Sequence, residues 1–380
     1  MAQRRIKSIK KRRHTALVLQ GGGALGAYQA GVYEKLFATD YAPDWVAGVS
    51  IGAINSALIV GNPPERRIER LREFWELVSS GVSSPPPPWQ DARAAFNRAS
   101  AMYAATVGVP GFYRPRSPID YINAPGGPGV LGIYDTTPLR ETLERLVDFD
   151  LINSKRIRLS MGAVNVVTGN SIYFDNQMST IGPEHVMASG ALPPAFAPVI
   201  IDGEPYWDGG ILSNTPLQYV LDSRGDNAML VFQVDLFSAR GAMPTDLSEV
   251  LARQKEIQYS SRTRFNTDTV AKIQNQRRAT RELLMSLPQR TQTNATIEEL
   301  KHLLRSPATD IVHLIYRGQA YEEESRDYEF SRASVEEHWQ CGLRDMSDTL
   351  SHPGWLSVSG LDDGVTTYDL TRPSARPKKK

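Results

Sequence analysis

The stretch Asp44-Trp45-Val46-Ala47-Gly48-Val49-Ser50-Ile51-Gly52-Ala53-Ile54-Asn55-Ser56-Ala57-Leu58-Ile59-Val60 changes its apolar period in the middle. Up to Val49 it reads as a short buried strand, and from Ile51 onward as a helix of small and aliphatic residues, so the chain must turn sharply at Ser50. Gly48 and Gly52 make that turn feasible, because they remove the Cβ atoms that would collide where strand and helix approach. The Ser50 hydroxyl is then expected above the edge of a sheet at a helix N-terminus, where backbone N–H groups and the dipole favour developing negative charge. The competing reading is a small-residue helix start packed in a core, with Ser50 as its cap.

A second glycine cluster lies upstream. Ala16 to Leu19 reads as a buried strand, and Gly21-Gly22-Gly23-Ala24-Leu25-Gly26 leads into a helix from Ala27 to about Phe37. A Gly-x-Gly-x-x-Gly after a strand fits a dinucleotide site. Against that, the acidic residue expected at the end of the second strand is missing, since that strand ends in the Ser50 turn. The free N–H groups of such a loop cradle an oxyanion as readily as a phosphate. Both turns are thus expected at the carboxyl edge of one parallel sheet, the second carrying a nucleophile and the first its oxyanion donors.

Further along, Val199-Ile200-Ile201, a turn at Asp202-Gly203 and a return strand through Tyr206 and Trp207 end in Asp208-Gly209-Gly210. An aspartate freed by two glycines at a strand end can point across the sheet edge toward Ser50; a turn-capping role is its alternative. With its pKa raised by an apolar surround such as Trp207, Asp208 could act as a general base. None of the six histidines (His14, His185, His302, His313, His338 and His352) has a local setting that marks a catalytic base.

The remaining segments read more plainly. Ile68, Leu71, Phe74, Trp75 and Val78 form a helical apolar face, and Pro85 to Pro88 impose an extended segment. Trp89 to Gly132 reads as an irregular insertion, either a lid or acyl-chain surface or a plain excursion. Asp135-Thr136-Thr137-Pro138 opens a helix with a capping hydroxyl. Arg158 to Val167 and Ser171 to Phe174 read as hairpin strands, and Val231 to Leu236 as the last core strand. Beyond Ala239 a polar helical stretch leads to a strand at Ile311 to Tyr316 and a helix opened by a Ser334-x-x-Glu337 capping box.

Composition narrows the function classes. At 380 residues the chain can bury a full core, and the single cysteine, Cys341, excludes an intramolecular disulfide. No His and Cys occur at metal-ligand spacing, and no cofactor is expected. Net charge is +1, with Arg4, Arg5, Lys7, Lys10, Lys11, Arg12 and Arg13 at one end and Lys378 to Lys380 at the other. Such tails read as solvated arms, or as a peripheral contact with an anionic membrane, and not as a nucleic-acid site. No signal-peptide pattern follows the N-terminal charges, and the Trp45 to Val60 run falls short of the roughly 20 residues that cross a bilayer. A cytoplasmic protein is expected, with peripheral membrane contact as its furthest reach.

Taken in order, Gly21-Gly22-Gly23-Ala24-Leu25-Gly26, Gly48-Val49-Ser50-Ile51-Gly52, the Ala188-Ser189-Gly190-Ala191 stretch with its following prolines near Phe196, and Asp208-Gly209-Gly210 resemble the blocks of patatin-like phospholipases. The resemblance implies a three-layer α/β/α fold with a mostly parallel sheet and a smaller C-terminal α+β extension. It also implies a Ser50–Asp208 dyad that hydrolyses lipid acyl esters, with an oxyanion hole at Gly21, Gly22, Gly23 and Ala24. Many relatives carry Arg or Lys at the position of Leu25, so cationic help to the oxyanion is missing here. The expected organisation is a basic arm over 1–14, an acyl hydrolase domain over 15–240 with an insertion over 62–132, a helical connector over 241–290, an accessory domain over 291–372 and a basic tail over 373–380. The alternative function is a non-catalytic lipid-binding or membrane-docking protein that retains the fold.

Overall fold

The computed structural model describes residues 14–117, 119–120, 131–225, 228–288, 297, 299–300, 308–319, 321–352 and 365–369. In chain order, β1 (His14–Leu19) leads into α1 (Gly26–Phe37), and β2 (Trp45–Val49) into α2 (Ile51–Val60), α3 (Arg67–Val78) and α4 (Gln90–Val107). A small ribbon of β3 (Arg114–Pro115) and β4 (Tyr134–Asp135) precedes α5 (Thr137–Leu146) and α6 (Phe149–Asn153). Then come β5 (Arg158–Asn165), β6 (Ser171–Asp175), α7 (Pro183–Ser189), β7 (Val199–Ile201), β8 (Glu204–Asp208), α8 (Leu217–Asp222) and β9 (Met229–Asp235). The chain closes with α9 (Leu247–Ser286), β10 (Thr309–Ile315), α10 (Arg332–Ser351) and β11 (Val365–Asp369).

The main sheet runs β11-β10-β9-β1-β2-β5-β8-β7, with β6 also paired to β5. From β11 to β5 every pair along this path is parallel, while β6, β7 and β8 are antiparallel additions. Alternation along the strands divides the core in two. Leu17, Leu19, Val46, Phe232 and Val234 face one layer, against α1, α2, α3, α5 and α10. Ala16, Val18, Trp45, Ala47 and Val231 face the other, against Leu217, Val220 and Leu221 of α8. This is a three-layer α/β/α arrangement around a mostly parallel sheet.

Both chain reversals at the start follow from the sequence. β1 and β2 are adjacent and in register from Ala16↔Trp45 to Leu19↔Gly48, so the two glycine-flanked turns emerge at one edge. A Cβ on Gly48 would lie 2.2 Å from the carbonyl oxygen of Gly52, and one on Gly52 would lie 2.4 Å from that of Leu19. Only hydrogen at both positions lets α2 leave β2 so steeply.

Three local expectations need correction. Residues 90–107 form helix α4, where the sequence reads as irregular; its buried stripe is Arg93, Asn97, Ser100, Ala101 and Ala104, at helical spacing but with no large apolar residue. The start of α5 has no hydroxyl cap: Asp135 accepts hydrogen bonds from the Thr137 N–H at 3.0 Å and from its hydroxyl at 2.7 Å. α10 begins three residues before the expected box, capped by Ser331, and Glu337 instead pairs with Arg93 at 2.9 Å.

The strand at 231–236 is not the last of the sheet, because β10 pairs in parallel with β9 from Thr309↔Met229 to Ile315↔Asp235. α10 then lies on α1, where the Tyr28 hydroxyl donates to Asp345 at 2.6 Å and the Trp339 indole N–H to Glu34 at 2.6 Å. Among the described residues no helix is long and apolar enough to cross a membrane.

Candidate active site

Ser50 sits between β2 and α2 with φ 57° and ψ −125°. A left-handed φ is costly for a residue with a Cβ, on the order of 1–3 kcal/mol, and persists only where the surroundings impose it. Here they do: the Ser50 N–H is held by Ser189, whose carbonyl and hydroxyl oxygens each lie 3.1 Å away. The Ser189 hydroxyl in turn donates to the Gly162 carbonyl at 2.7 Å. Ser189, buried at the end of α7, therefore ties the serine turn to β5.

Register brings Asp208 to the same place. Gly162 of β5 pairs with Val49 on one side and Tyr173 on the other, and the next residue, Ala163, pairs with Asp208 and Ile172. Since β6 holds one edge of β5, β2 and β8 must share the opposite edge, meeting end to end. Ser50 follows Val49 there, facing Asp208, and its hydroxyl hydrogen-bonds the carboxylate. The second partner of Asp208 is the Gly210 N–H, which donates to Oδ1 at 2.7 Å. The carboxyl is only 2% exposed, and burial outweighs these two bonds, pushing its pKa up to about 7. Trp207 does not supply that burial: as the neighbouring residue on β8 it projects from the opposite face, and it does not line the cleft.

The glycine loop completes the arrangement. Gly21, Gly22 and Gly23 line the cleft above Ser50, whereas Ala24 is wholly buried outside it. The Gly21 N–H donates to the Asn214 carbonyl at 3.1 Å and the Ala24 N–H to the Asp327 carbonyl at 2.8 Å. Among the described residues no acceptor takes the N–H of Gly22 or of Gly23. The four donors expected for the oxyanion thus narrow to two, because the other two are already spent on protein carbonyls. Leu25 also points into the core, so its side chain faces away from the cleft.

The cleft has a volume of about 510 Å3. Its walls are apolar and aromatic: Ala105, Phe112 and Tyr113 come from the 62–132 segment, Leu192 and Phe196 from the proline-rich stretch, and Phe330 from the C-terminal third. No described histidine lines it. His313 bonds Asp235, His338 bonds Glu322, and His185 accepts from the Gly182 N–H, each in a packing role away from Ser50.

Four residues at the site were not singled out from the sequence. Ser189 lies in the Ala188-Ser189-Gly190-Ala191 block that carries the resemblance, but nothing in the sequence gives it a role of its own. Asn214 donates to the Gly21 carbonyl at 3.0 Å and follows Asp208-Gly209-Gly210 closely, which is the one signal that could have found it. Lys255 and Asp327, which also line the cleft, carry no local motif.

The arrangement can activate a hydroxyl toward an acyl carbon: an oxygen held on a strained turn, a buried carboxylate within hydrogen-bonding reach, two unspent N–H donors and an apolar trough. Among solved structures, VipD from Legionella pneumophila is similar at 16% identity over 87% of this chain and 67% of its own, with a TM-score of 0.33. The type III effector ExoU of Pseudomonas aeruginosa is similar at 14% identity over 87% of this chain and 53% of its own, with a TM-score of 0.24. This chain therefore spans about two thirds of VipD and about half of ExoU. No curated protein is similar enough in sequence to count as a relative. Residues 257–360 match a family model described as patatin phospholipase. Residues 17–221, more than half of the chain, match the model of the patatin-like phospholipases, and the chain belongs to that family.

Proposed function

We propose that the protein is a serine acyl hydrolase of lipid esters that works through a Ser50–Asp208 dyad and an acyl-enzyme. The observation that carries this reading is the contact between the strained Ser50 hydroxyl and a carboxyl whose pKa is raised to about 7. A carboxylate of ordinary pKa is too weak a base to take a serine proton near neutrality, while one close to 7 is both ionised and basic enough. Histidine is then unnecessary.

As Ser50 Oγ attacks the ester carbonyl carbon, its proton passes to Asp208 and the carbonyl oxygen takes up the negative charge. The N–H groups of Gly22 and Gly23, which no acceptor takes among the described residues, would stabilise that charge. Collapse of the tetrahedral species breaks the bond to the alcohol, which leaves with the proton from Asp208. Water, giving its proton to the same carboxylate, then attacks the acyl carbon of the Ser50 ester; collapse breaks the bond to Ser50 Oγ, which takes the proton back from Asp208, and the fatty acid is released. An apolar cleft of about 510 Å3 supports an acyl chain as the bound group.

The test is labelling with a fluorophosphonate, followed by intact mass, of the wild type, Ser50→Ala and Asp208→Asn. Labelling confined to the wild type, or much slower in Asp208→Asn, is expected. A folded wild type that resists the probe even in detergent, yet binds liposomes, would replace this reading with the lipid-binding one.

A further inference from the structure

We propose that Lys255 and Asp327, both from the C-terminal third, form a clamp that fixes the glycine loop and so acts as a positioning pair for the hydrolytic site. This rests on the acyl hydrolase reading for its catalytic consequence, but not for its structural one.

The loop itself is under-determined by local bonds. Residues 23–25 form one short 3-10 turn whose preceding residue, Gly22, offers no side-chain cap. The first N–H groups of any such turn have no partner within it. Ala24 finds one in the Asp327 carbonyl, at 2.8 Å. The contact is also steric: Gly23 has φ +55°, and a Cβ there would sit 1.9 Å from the same carbonyl oxygen. The Asp327 carbonyl thus occupies the space that any side chain at position 23 would need, and it takes the Ala24 N–H, while among the described residues no acceptor takes those of Gly22 and Gly23, which line the cleft.

What holds Asp327 is Lys255. Its ammonium donates to the two carboxylate oxygens of Asp327 at 2.7 and 3.0 Å and to the Glu324 carbonyl at 2.9 Å, and lies 5.1 Å from the Tyr328 ring centre. The helix that carries it, α9, is fastened to the same segment again one residue on, where Glu256 accepts from Arg326 at 2.8 Å and from Arg253 at 2.7 Å. Arg253 in turn donates to the Ser238 carbonyl, just beyond β9. A chain of contacts therefore runs from the end of β9 through α9 to Asp327 and the glycine loop.

An ion pair as exposed as this one, with Lys255 at 34% and Asp327 at 22%, adds little to global stability. Its effect on catalysis is larger, because oxyanion stabilisation depends on donors held to within a fraction of an ångström. Removing the pair should leave the fold intact and loosen the loop.

The experiment compares wild type with Lys255→Met, Asp327→Asn and Lys255→Arg, in the full chain. Hydrogen exchange by mass spectrometry of the peptide spanning residues 20–27 is the readout that needs no substrate. Exchange about tenfold faster in Lys255→Met and Asp327→Asn, with Tm unchanged and partial recovery in Lys255→Arg, is expected; exchange at the wild-type rate in both overturns the clamp. On a neutral ester, kcat and the fluorophosphonate labelling rate should fall about tenfold with KM nearly constant. A rise in KM confined to phosphate-bearing esters, with kcat kept, would instead make Lys255 a head-group contact and overturn the proposal. If the wild type itself is not labelled, the hydrolase reading fails while loop exchange still decides the clamp.

Discussion

Asp208→Asn should make the protein more stable while disabling it, and the size of the gain follows from the site. The carboxyl has its pKa raised from 3.8 to about 7 by burial. Between those values the folded state binds a proton that the unfolded chain has released, so stability falls as pH rises through this window. At about 1.4 kcal/mol per pKa unit, holding the ionised form in the fold costs on the order of 4 kcal/mol above neutrality. Asparagine has nearly the same shape, accepts from the Gly210 N–H as Asp208 does, and carries no charge. Urea unfolding of wild type and variant across a series from about pH 4 to about pH 8 should therefore show curves that coincide at the acid end and separate as pH rises, the variant ahead by up to about 4 kcal/mol. Identical pH profiles, or a variant weaker than wild type at the alkaline end, would refute the argument that Asp208 is ionised at a buried, desolvated position.

Three further outcomes are expected. Acyl hydrolysis should rise with pH along a single limb of apparent pKa about 7, the value of Asp208, and a limb near that of an ordinary carboxylate would contradict a base tuned by burial. Ser50→Gly should abolish labelling yet raise Tm, since glycine accepts φ 57° without a strain of order 1–3 kcal/mol; a lower Tm would show that the turn is not strained. Ser189→Ala strips the Gly162 carbonyl of its buried donor and should cost about 1–3 kcal/mol in urea titration, together with slower labelling of Ser50; unchanged labelling would show that Ser189 does not fix the nucleophile.

How much of this was legible in advance depended on whether a constraint was local. Gly48 and Gly52 announce a strand-to-helix turn because backbone meets backbone within a few residues, and β1, β2 and their helices appear where the apolar period places them. α4 escaped because its buried face is built from Arg93, Asn97, Ser100 and small alanines, whose burial is made tolerable by distant partners such as Ser334 and Glu337. For the same reason the cap of α10 was misplaced: Ser334 looks like a cap in sequence, but it donates its N–H to Ser331 and its hydroxyl accepts from Arg93.

The sequence by itself determined the Ser50 turn, the glycine loop and the freed aspartate, since each is enforced by residues adjacent in the chain. Only the tertiary structure decided how they meet. The end-to-end approach of β2 and β8 along one edge of β5 puts Ser50 against Asp208, because strand register is a property of pairing and not of either strand alone. Which loop donors remain free was likewise settled by carbonyls far along the chain, at Asn214 and Asp327, because an N–H group is spent or available according to what packs against it.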